Sequence, residues 1–446
     1  MKTFKMGGVH PEENKISTDA VIEQMPLPKQ VAVLMNQHLG APATPIVAKG
    51  DKVKVGQMIA EAQAFMCANI HSPVSGTVNK IDVCKDMVGL NKTAIYIDVE
   101  GDEWMETIDR TPDIKRECAL EPKEIVAKLK EMGIVGLGGA TFPAHIKYNV
   151  PEGKKAEYLI INAAECEPYL TSDHRVMLEH AEEICIGVSI LRKALGVPNA
   201  YIGIESNKPE PIRVMTEMAK SFEGIIVEPM KVKYPQGAEK QLINAITGRK
   251  VPSGKLPIDV GCVVSNVGTA FAVYEAIQKN KPLIENILTV TGKKLPSQHN
   301  YQCRIGITYN DIMPTDAMTV FCCLCDECQK AYVDKSYKHY NFMRDLVWGK
   351  TVEYANRIAA AGFKNEYVTQ MAFPPYRMDP PSFDIPTNVE VSVGCEALWT
   401  ECCEKVHEEQ VNDVVAWQKK LGRRVYLWLW PGNIFNLFKY GGAPSI

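Results

Sequence analysis

The first hundred residues alternate. From about 31 to 100, Val and Ile recur at every second position in short runs broken by Gly and Pro, as in "GDKVKVGQ" and "SPVSGTV", which predicts short strands joined by tight turns. Near residue 120 the period changes. "EPKEIVAKLKEMGI" carries apolar residues at helical spacing and "AEYLIINAAE" is a short apolar run between polar residues, so a helix and then a buried strand are expected. "HAEEICIGVSILRKALGV" predicts a second helix, "AYIGIES" a second strand and "GAEKQLINAITG" a third helix. Strands alternating with helices imply a parallel sheet with crossovers, whose ligands bind beyond the carboxyl ends of the strands. Past residue 316 the segments "DIPTNVEVSVGC" and "VNDVVAWQKKLGRRVYLWLWPGN" mix helix, strand and loop, with aromatics at the strand ends.

Length and composition narrow the class. A chain of 446 residues exceeds one core and suggests two to four domains. With 50 basic against 53 acidic residues the charge is nearly balanced, which points away from nucleic acid as a partner. No run of 18 apolar residues occurs, and "MKTFKMGGVH" lacks the apolar stretch of a signal peptide, so the expected location is the cytoplasm, docked on a membrane only through partners. Seven of the fourteen cysteines and five of the six tryptophans follow position 316, a shift that suggests a boundary near Asp316. Without a secretion signal these cysteines are expected as thiols or metal ligands.

The stretch with the most unusual chemistry is "GIVGLGGATFPAHIK", residues 133 to 147, which places four glycines in seven positions. Gly136, Gly138 and Gly139 leave a bare backbone whose amides can approach a phosphate or a flat ring, and Lys147 offers a cation for that phosphate. It is neither a Walker loop nor a clean dinucleotide fingerprint, since Thr141 takes the place of the last glycine. A tight structural turn explains these glycines equally well. The next strand end, "NAAECEPYLTSDHR", delivers Asn162, Glu165 and Glu167 either to a ligand crevice or to a solvated loop, and Pro168 stops the strand. Gly237 and Glu239 form a Gly-acid pair at a helix start, and Asn266 and Thr269 in "SNVGTA" sit at a strand-to-helix junction.

Two resemblances organise these pieces. The pairing of "GDKVKVGQ" with "SPVSGTV" resembles the barrel-sandwich hybrid of lipoyl and biotinyl carriers, but "MIAEAQAFMCANIHSPVSGTVN" contains no lysine for an attached cofactor, so a scaffold role is expected. From Lys2 to about Asp311 the chain resembles the C subunit of the Rnf complex, a membrane-associated, ion-translocating ferredoxin:NAD oxidoreductase. "GGVHPEENK", "QHLGAPATPIVAKGDKVKVGQ", "GLGGATFPAHIK", "NAAECEPYLTSDHR", "YPQGAEKQLI" and "SNVGTA" carry that resemblance, and the central part is also similar to the flavin-binding subunit of respiratory complex I.

The resemblance implies an α/β multidomain chain: a barrel-sandwich hybrid over 1–110, a Rossmann-like flavin and NADH domain over 111–283, a truncated β-grasp module over 284–316 and an atypical region over 317–446. It implies FMN held by Gly136, Gly138, Gly139 and Lys147, with Asn162 and Glu165 on the ribityl chain or ring edge and Asn266 and Thr269 closing the site. Phe142 would stack on NADH, near Gly237, while Glu167 and Glu239 set its hydroxyls. Other subunits of a membrane electron-transport complex and ferredoxin-type carriers are the implied partners. Ala164 stands where the complex I relatives carry an acid, which puts one flavin contact in question.

The tail departs from that family. "FCCLCDECQKAY" supplies Cys322, Cys325 and Cys328 at ferredoxin spacing, but Tyr332 replaces the fourth ligand and no second run follows. A [4Fe–4S] cluster would need Cys395, Cys402 or Cys403, and a zinc site on Cys325 and Cys328 or plain thiols compete with it. The region also resembles part of an uncharacterised TIM-barrel-like family linked to carbohydrate-active enzymes. A flavin-fold scaffold without onward electron transfer, or a composite of two unrelated parts, are the alternative functional readings.

Overall fold

The structure is a computed structural model. It describes residues 1–308 apart from 6, 87–89, 294 and 296, and beyond them 352–353, 355–356, 368–372, 384–385, 389–394, 415–421 and 426–428. The chain divides into two compact units, Met1–Ile312 and Met313–Ile446.

The alternating segment folds as expected. After a short strand β1 (Ile22–Gln24), it forms β2 (Gln30–Leu34), β3 (Thr44–Pro45), β4 (Lys52–Val53), β5 (Met58–Glu61), β6 (Ile70–His71), β7 (Gly76–Lys85) and β8 (Asn91–Val99). These make two small antiparallel sheets, ordered β2-β8-β7-β4 and β3-β5-β6. Every second residue points inward, so Val31, Val33, Ile59, Ile95 and Ile97 meet in one core while the polar partners face water.

The helical period begins at α1 (Pro122–Glu131), where Pro122 opens the first turn and the Glu124 carboxylate accepts the Glu121 amide at 2.7 Å. Then come α2 (Ala144–Tyr148), β9 (Tyr158–Ala163), α3 (Ser172–Glu179), α4 (Ala181–Leu195), β10 (Ala200–Glu205), α5 (Pro209–Ala219), β11 (Ile225–Met230), α6 (Glu239–Thr247), β12 (Cys262–Asn266) and α7 (Val267–Gln278). The four strands form a parallel sheet in the order β11-β10-β9-β12. Its central strand is apolar on both faces: Leu159 and Ile161 join the core under α4 and α7, while Ile160 joins a second core with Leu242 and Ile243 of α6.

The last strands of the first unit, β13 (Glu285–Val290) and β14 (His299–Arg304), pair antiparallel. β14 also pairs in parallel with β1, so the segment expected as a separate module shares its sheet with the N-terminal end of the chain. In the second unit β15 (Val368–Ala372), β16 (Val389–Gly394) and β17 (Tyr426–Trp428) form a three-stranded parallel sheet.

Candidate functional site

The parallel sheet dictates where a ligand goes. From β9 the chain steps outward to β10 and β11, then returns across β9 to place β12 on its other side. The crossovers therefore diverge between β9 and β12, and a crevice opens at the carboxyl ends of those two strands. A cleft of about 580 Å³ lies there, lined at the strand ends by Asn162, Ser265 and Asn266.

The glycine-rich segment forms its wall as a small hairpin. Val135 bridges Pro143, the Gly136 amide donates to the Phe142 carbonyl at 2.9 Å, and the Ala144 amide to the Ile134 carbonyl at 2.9 Å. Each glycine has its own reason. A Cβ on Gly138 would stand 2.7 Å from Cβ of Asn266, whereas Gly139 faces open space. Thr141, in place of the last glycine, takes φ +49°, the left-handed region that favours glycine. The turn is anchored inward by the Leu137 amide, which donates to Oγ1 of Thr269 at 2.9 Å.

Asn266 is committed on every side. Its Oδ1 caps α7 by accepting the Gly268 amide at 2.8 Å and the Thr269 amide at 3.3 Å, and its Nδ2 donates to Oδ2 of Asp173 at 2.7 Å. Asn162 Nδ2 donates to the Gly237 carbonyl at 2.8 Å, tying β9 to the turn before α6. Lys147 Nζ donates to the Val264 carbonyl at 2.8 Å and lies 3.8 Å from Oε1 of Glu239. Burial lowers the pKa of Lys147, and Glu239 opposes that shift.

Of the residues expected on a ligand, the cleft gathers Gly136, Gly138, Gly139, Phe142 and Lys147 from the hairpin and α2. It adds Asn162, Gly237, Glu239, Asn266 and Thr269 from the sheet ends and helix starts. Glu165 and Glu167 do not line it. Glu165 takes φ +45°, which turns its side chain into the interior, where Oε1 accepts the Asp173 amide at 2.7 Å. Oε2 is buried without a hydrogen-bond partner, with the Lys15 ammonium 3.9 Å away. Glu167 faces outward and accepts the Tyr234 hydroxyl at 3.1 Å.

Behind the cleft lies a charged cluster that the motifs did not announce. Lys15 donates to the carbonyls of Glu165, Glu167 and Leu170 at 2.6 to 2.8 Å, and the buried Lys208 to that of Ala164 at 2.8 Å. Burial, then the nearby Asp173, pushes the Glu165 carboxyl up to about 8, and burial pushes Asp173 up to about 6. Lys15 closes the stretch "GGVHPEENK", but nothing in local spacing shows that it crosses to the end of β9. Among the described residues no three His, Cys, Asp or Glu side chains are grouped to hold a metal. Cys322, Cys325 and Cys328 lie outside the described residues.

Comparison with known proteins accounts for both halves of the first unit. Residues 2–102 match the RnfC barrel sandwich hybrid domain, and residues 129–275 match the Nuo51 FMN-binding domain. The C subunit of the proton-translocating ferredoxin:NAD(+) oxidoreductase complex of Clostridium ljungdahlii is 46% identical over 316 residues, 70% of this chain and 67% of that protein. The C subunit of the Na(+)-translocating ferredoxin:NAD(+) oxidoreductase complex of Acetobacterium woodii is 41% identical over 320 residues, 70% of each chain. The C subunit of an ion-translocating oxidoreductase complex of Rhodobacter capsulatus is 41% identical over 312 residues, 69% of this chain and 59% of that one. A barrel-sandwich module followed by a glycine-walled cleft, at this level of identity to the relatives, places the chain in the RnfC family, the C subunits of ion-translocating ferredoxin:NAD(+) oxidoreductase complexes.

Proposed function

We propose that the chain exchanges electrons between NADH and FMN, as the electron-transfer subunit of a membrane-associated, ion-translocating complex that hands them on to iron–sulfur carriers. The observation that carries this reading is the glycine-walled cleft between β9 and β12, inside the segment that matches an FMN-binding domain. The relatives are named as subunits of ferredoxin:NAD(+) oxidoreductase complexes, so other subunits and ferredoxin-type carriers are the proposed partners. Attachment to the membrane is assigned to those partners, since among the described residues no helix is long and apolar enough to cross one.

The residues fit the group. Phe142, Ile146, Leu256, Ile258 and Val263 give the cleft apolar walls suited to a flat ring, and its volume falls in the range of roughly 300 to 1,000 Å³ typical of ligand pockets. Gly138 and Gly139 keep side chains out of that space. Lys147 spends one proton on Val264 and retains others for a phosphate oxygen. In this reading Gly136, Gly138, Gly139 and Lys147 hold FMN, Asn162 stands at its ribityl chain or ring edge, and Asn266 and Thr269 set the hairpin that carries the glycines. Phe142, Gly237 and Glu239 receive NADH, and Glu167 contributes from the rim.

Bound FMN supplies the redox chemistry, taking a hydride and releasing single electrons. The chain's share is to orient both nucleotides, exclude water and hold the cationic Lys147 against negative charge. The parallel sheet with helices on both faces is, in this reading, a Rossmann-like flavin and NADH domain over 111–283. Residues 1–110 form the barrel-sandwich domain, 284–316 a truncated β-grasp module and 317–446 a separate region, in which a cluster on Cys322, Cys325 and Cys328 remains part of the proposal.

The test is direct. Purified protein should show flavin absorption that NADH bleaches without oxygen. Lys147→Ala should weaken FMN by about 1.5 to 3 kcal/mol, the worth of a charge-assisted hydrogen bond, and Gly138→Val should displace Asn266 and exclude the ring. Unchanged flavin occupancy in both variants would overturn the site, and a flavin that ignores NADH would favour a scaffold.

A further inference from the structure

The glycine hairpin is held from two sides, and only one of them belongs to the parallel sheet domain. On the inner side Thr269 and Asn266 of the β12–α7 junction fix Leu137 and Gly138. On the outer side stand two turns of the barrel-sandwich module, residues 38–41 and 62–69. These turns include the stretch where a carrier protein would need its attachment lysine, and here they make contacts instead.

The contacts reach both legs of the hairpin. Before the first leg, Nδ2 of Asn69 donates to the Glu131 carbonyl at 3.3 Å, while its Oδ1 accepts the Ala62 amide at 2.9 Å inside its own module. Gly133 meets the same turn so closely that a Cβ there would lie 2.3 Å from the Asn69 carbonyl oxygen, and it takes φ +66°. At the second leg the Leu39 amide donates to the Thr141 carbonyl at 3.2 Å. The two turns are themselves locked together, since the Ala41 amide donates to the Met66 carbonyl at 2.9 Å.

We propose that the barrel-sandwich module is a positioning element for the cofactor cleft: its two tip turns clamp both legs of the glycine hairpin and so set its distance from the β12–α7 wall. Asn69 is its positioning residue. It does not line the cleft, so it acts through the hairpin. The logic is mechanical. A glycine-rich segment loses more conformational freedom on ordering than any other, and the bond from Leu137 fixes it on the inner side alone. Bonds at both ends remove that freedom before a ligand arrives, so binding need not supply the cost.

This inference rests on the reading of the cleft as an FMN site, and its test separates the two. Asn69→Asp keeps the acceptor for Ala62 and loses the donor to Glu131. Gly133→Ala presses the approach to the first leg against the Asn69 carbonyl. In flavin-free full-length protein, amide hydrogen exchange over residues 134–144 should quicken about fivefold to tenfold in Asn69→Asp and Gly133→Ala, while β9, β10 and β12 exchange as before. FMN titration should show a dissociation constant raised by a similar factor in both variants. Exchange in the hairpin within twofold of the parent, or equal quickening in the sheet strands, overturns the clamp. Faster exchange with unchanged FMN affinity overturns its positioning role. If the parent protein takes up no FMN, the cofactor reading falls and the exchange data alone decide the clamp.

Discussion

Glu165 closes the end of β9 with a buried carboxyl where most strands would end in solvent. Its Oε1 holds the first turn of α3, and its Oε2 has no hydrogen-bond partner, so ionisation there would leave charge without adequate solvation. Burial raises its pKa from the usual 4.5 to about 8. Between those values the folded chain binds more protons at this position than the unfolded chain, so its contribution to stability is full below about 4.5 and is lost as pH rises towards 8. Glu165→Gln retains the acceptor for Asp173 and cannot ionise. Its unfolding free energy relative to the parent should therefore grow between pH 5 and pH 8, by at most about 1.4 kcal/mol per pH unit. His71 and His174, pushed by burial down to about 4, contribute with the opposite slope below 6.5, so the difference between the two proteins in denaturant titrations is the readout. A difference that stays flat with pH would show that Glu165 is not protonated in the fold. At this scale the sequence told which residue types gather, because Gly138 answers to a local steric demand against Asn266. It could not tell which way Glu165 points, because that depends on a positive φ at one non-glycine position and on Lys15, which lies 150 residues away.

Among the elements, α4 and α7 show how the cleft wall is supported. They cross with Gly187 against the α7 backbone, so close that a Cβ would fall 1.9 Å from the Ala270 carbonyl oxygen. Two effects compete in Gly187→Ala. Helix propensity favours alanine by up to about 1 kcal/mol, while forcing two packed helices apart costs about 1 to 3 kcal/mol. The contact is with backbone, which cannot swing aside, so the steric cost should win and the variant should unfold at lower denaturant. Because Asn266 caps α7 and the helix carries Thr269, the same shift should loosen the Leu137 bond and weaken FMN. Equal stability in parent and variant would show that the helices adjust without cost. The elements themselves were legible wherever one period governed a long run, as in α4, α6, β9 and β10. Those that escaped have no local signature. β1 is three residues whose partner, β14, lies about 280 positions further on, and β11 breaks its own strand pattern with Pro229.

At the scale of the whole molecule, the division of labour follows the chain. Every described residue that lines the cleft, both clamping turns and the lysines beneath β9 belong to Met1–Ile312. That unit also closes on itself, since β14 pairs with β1 and the buried Asn300 donates to the Ser17 and Ala20 carbonyls at 3.2 and 2.9 Å. The composition shift near residue 316 is the part of this division that the sequence announced. The pairing of the first and last strands was not announced, because no periodicity links positions so far apart. If the first unit is complete, the flavin function should survive without the second. Trypsin under native conditions should then leave a fragment ending near residue 312 that keeps its flavin in the same ratio to protein as the full chain and is bleached by NADH at the same concentration. The placement of the lining residues supports this outcome, because those described all fall between Gly136 and Thr269, well inside the first unit. Mass spectrometry fixes the end of the fragment and absorption after gel filtration fixes its flavin content. A folded fragment that has lost its flavin would mean that the second unit completes the site, and the clamp would then have to be sought on both sides of residue 312.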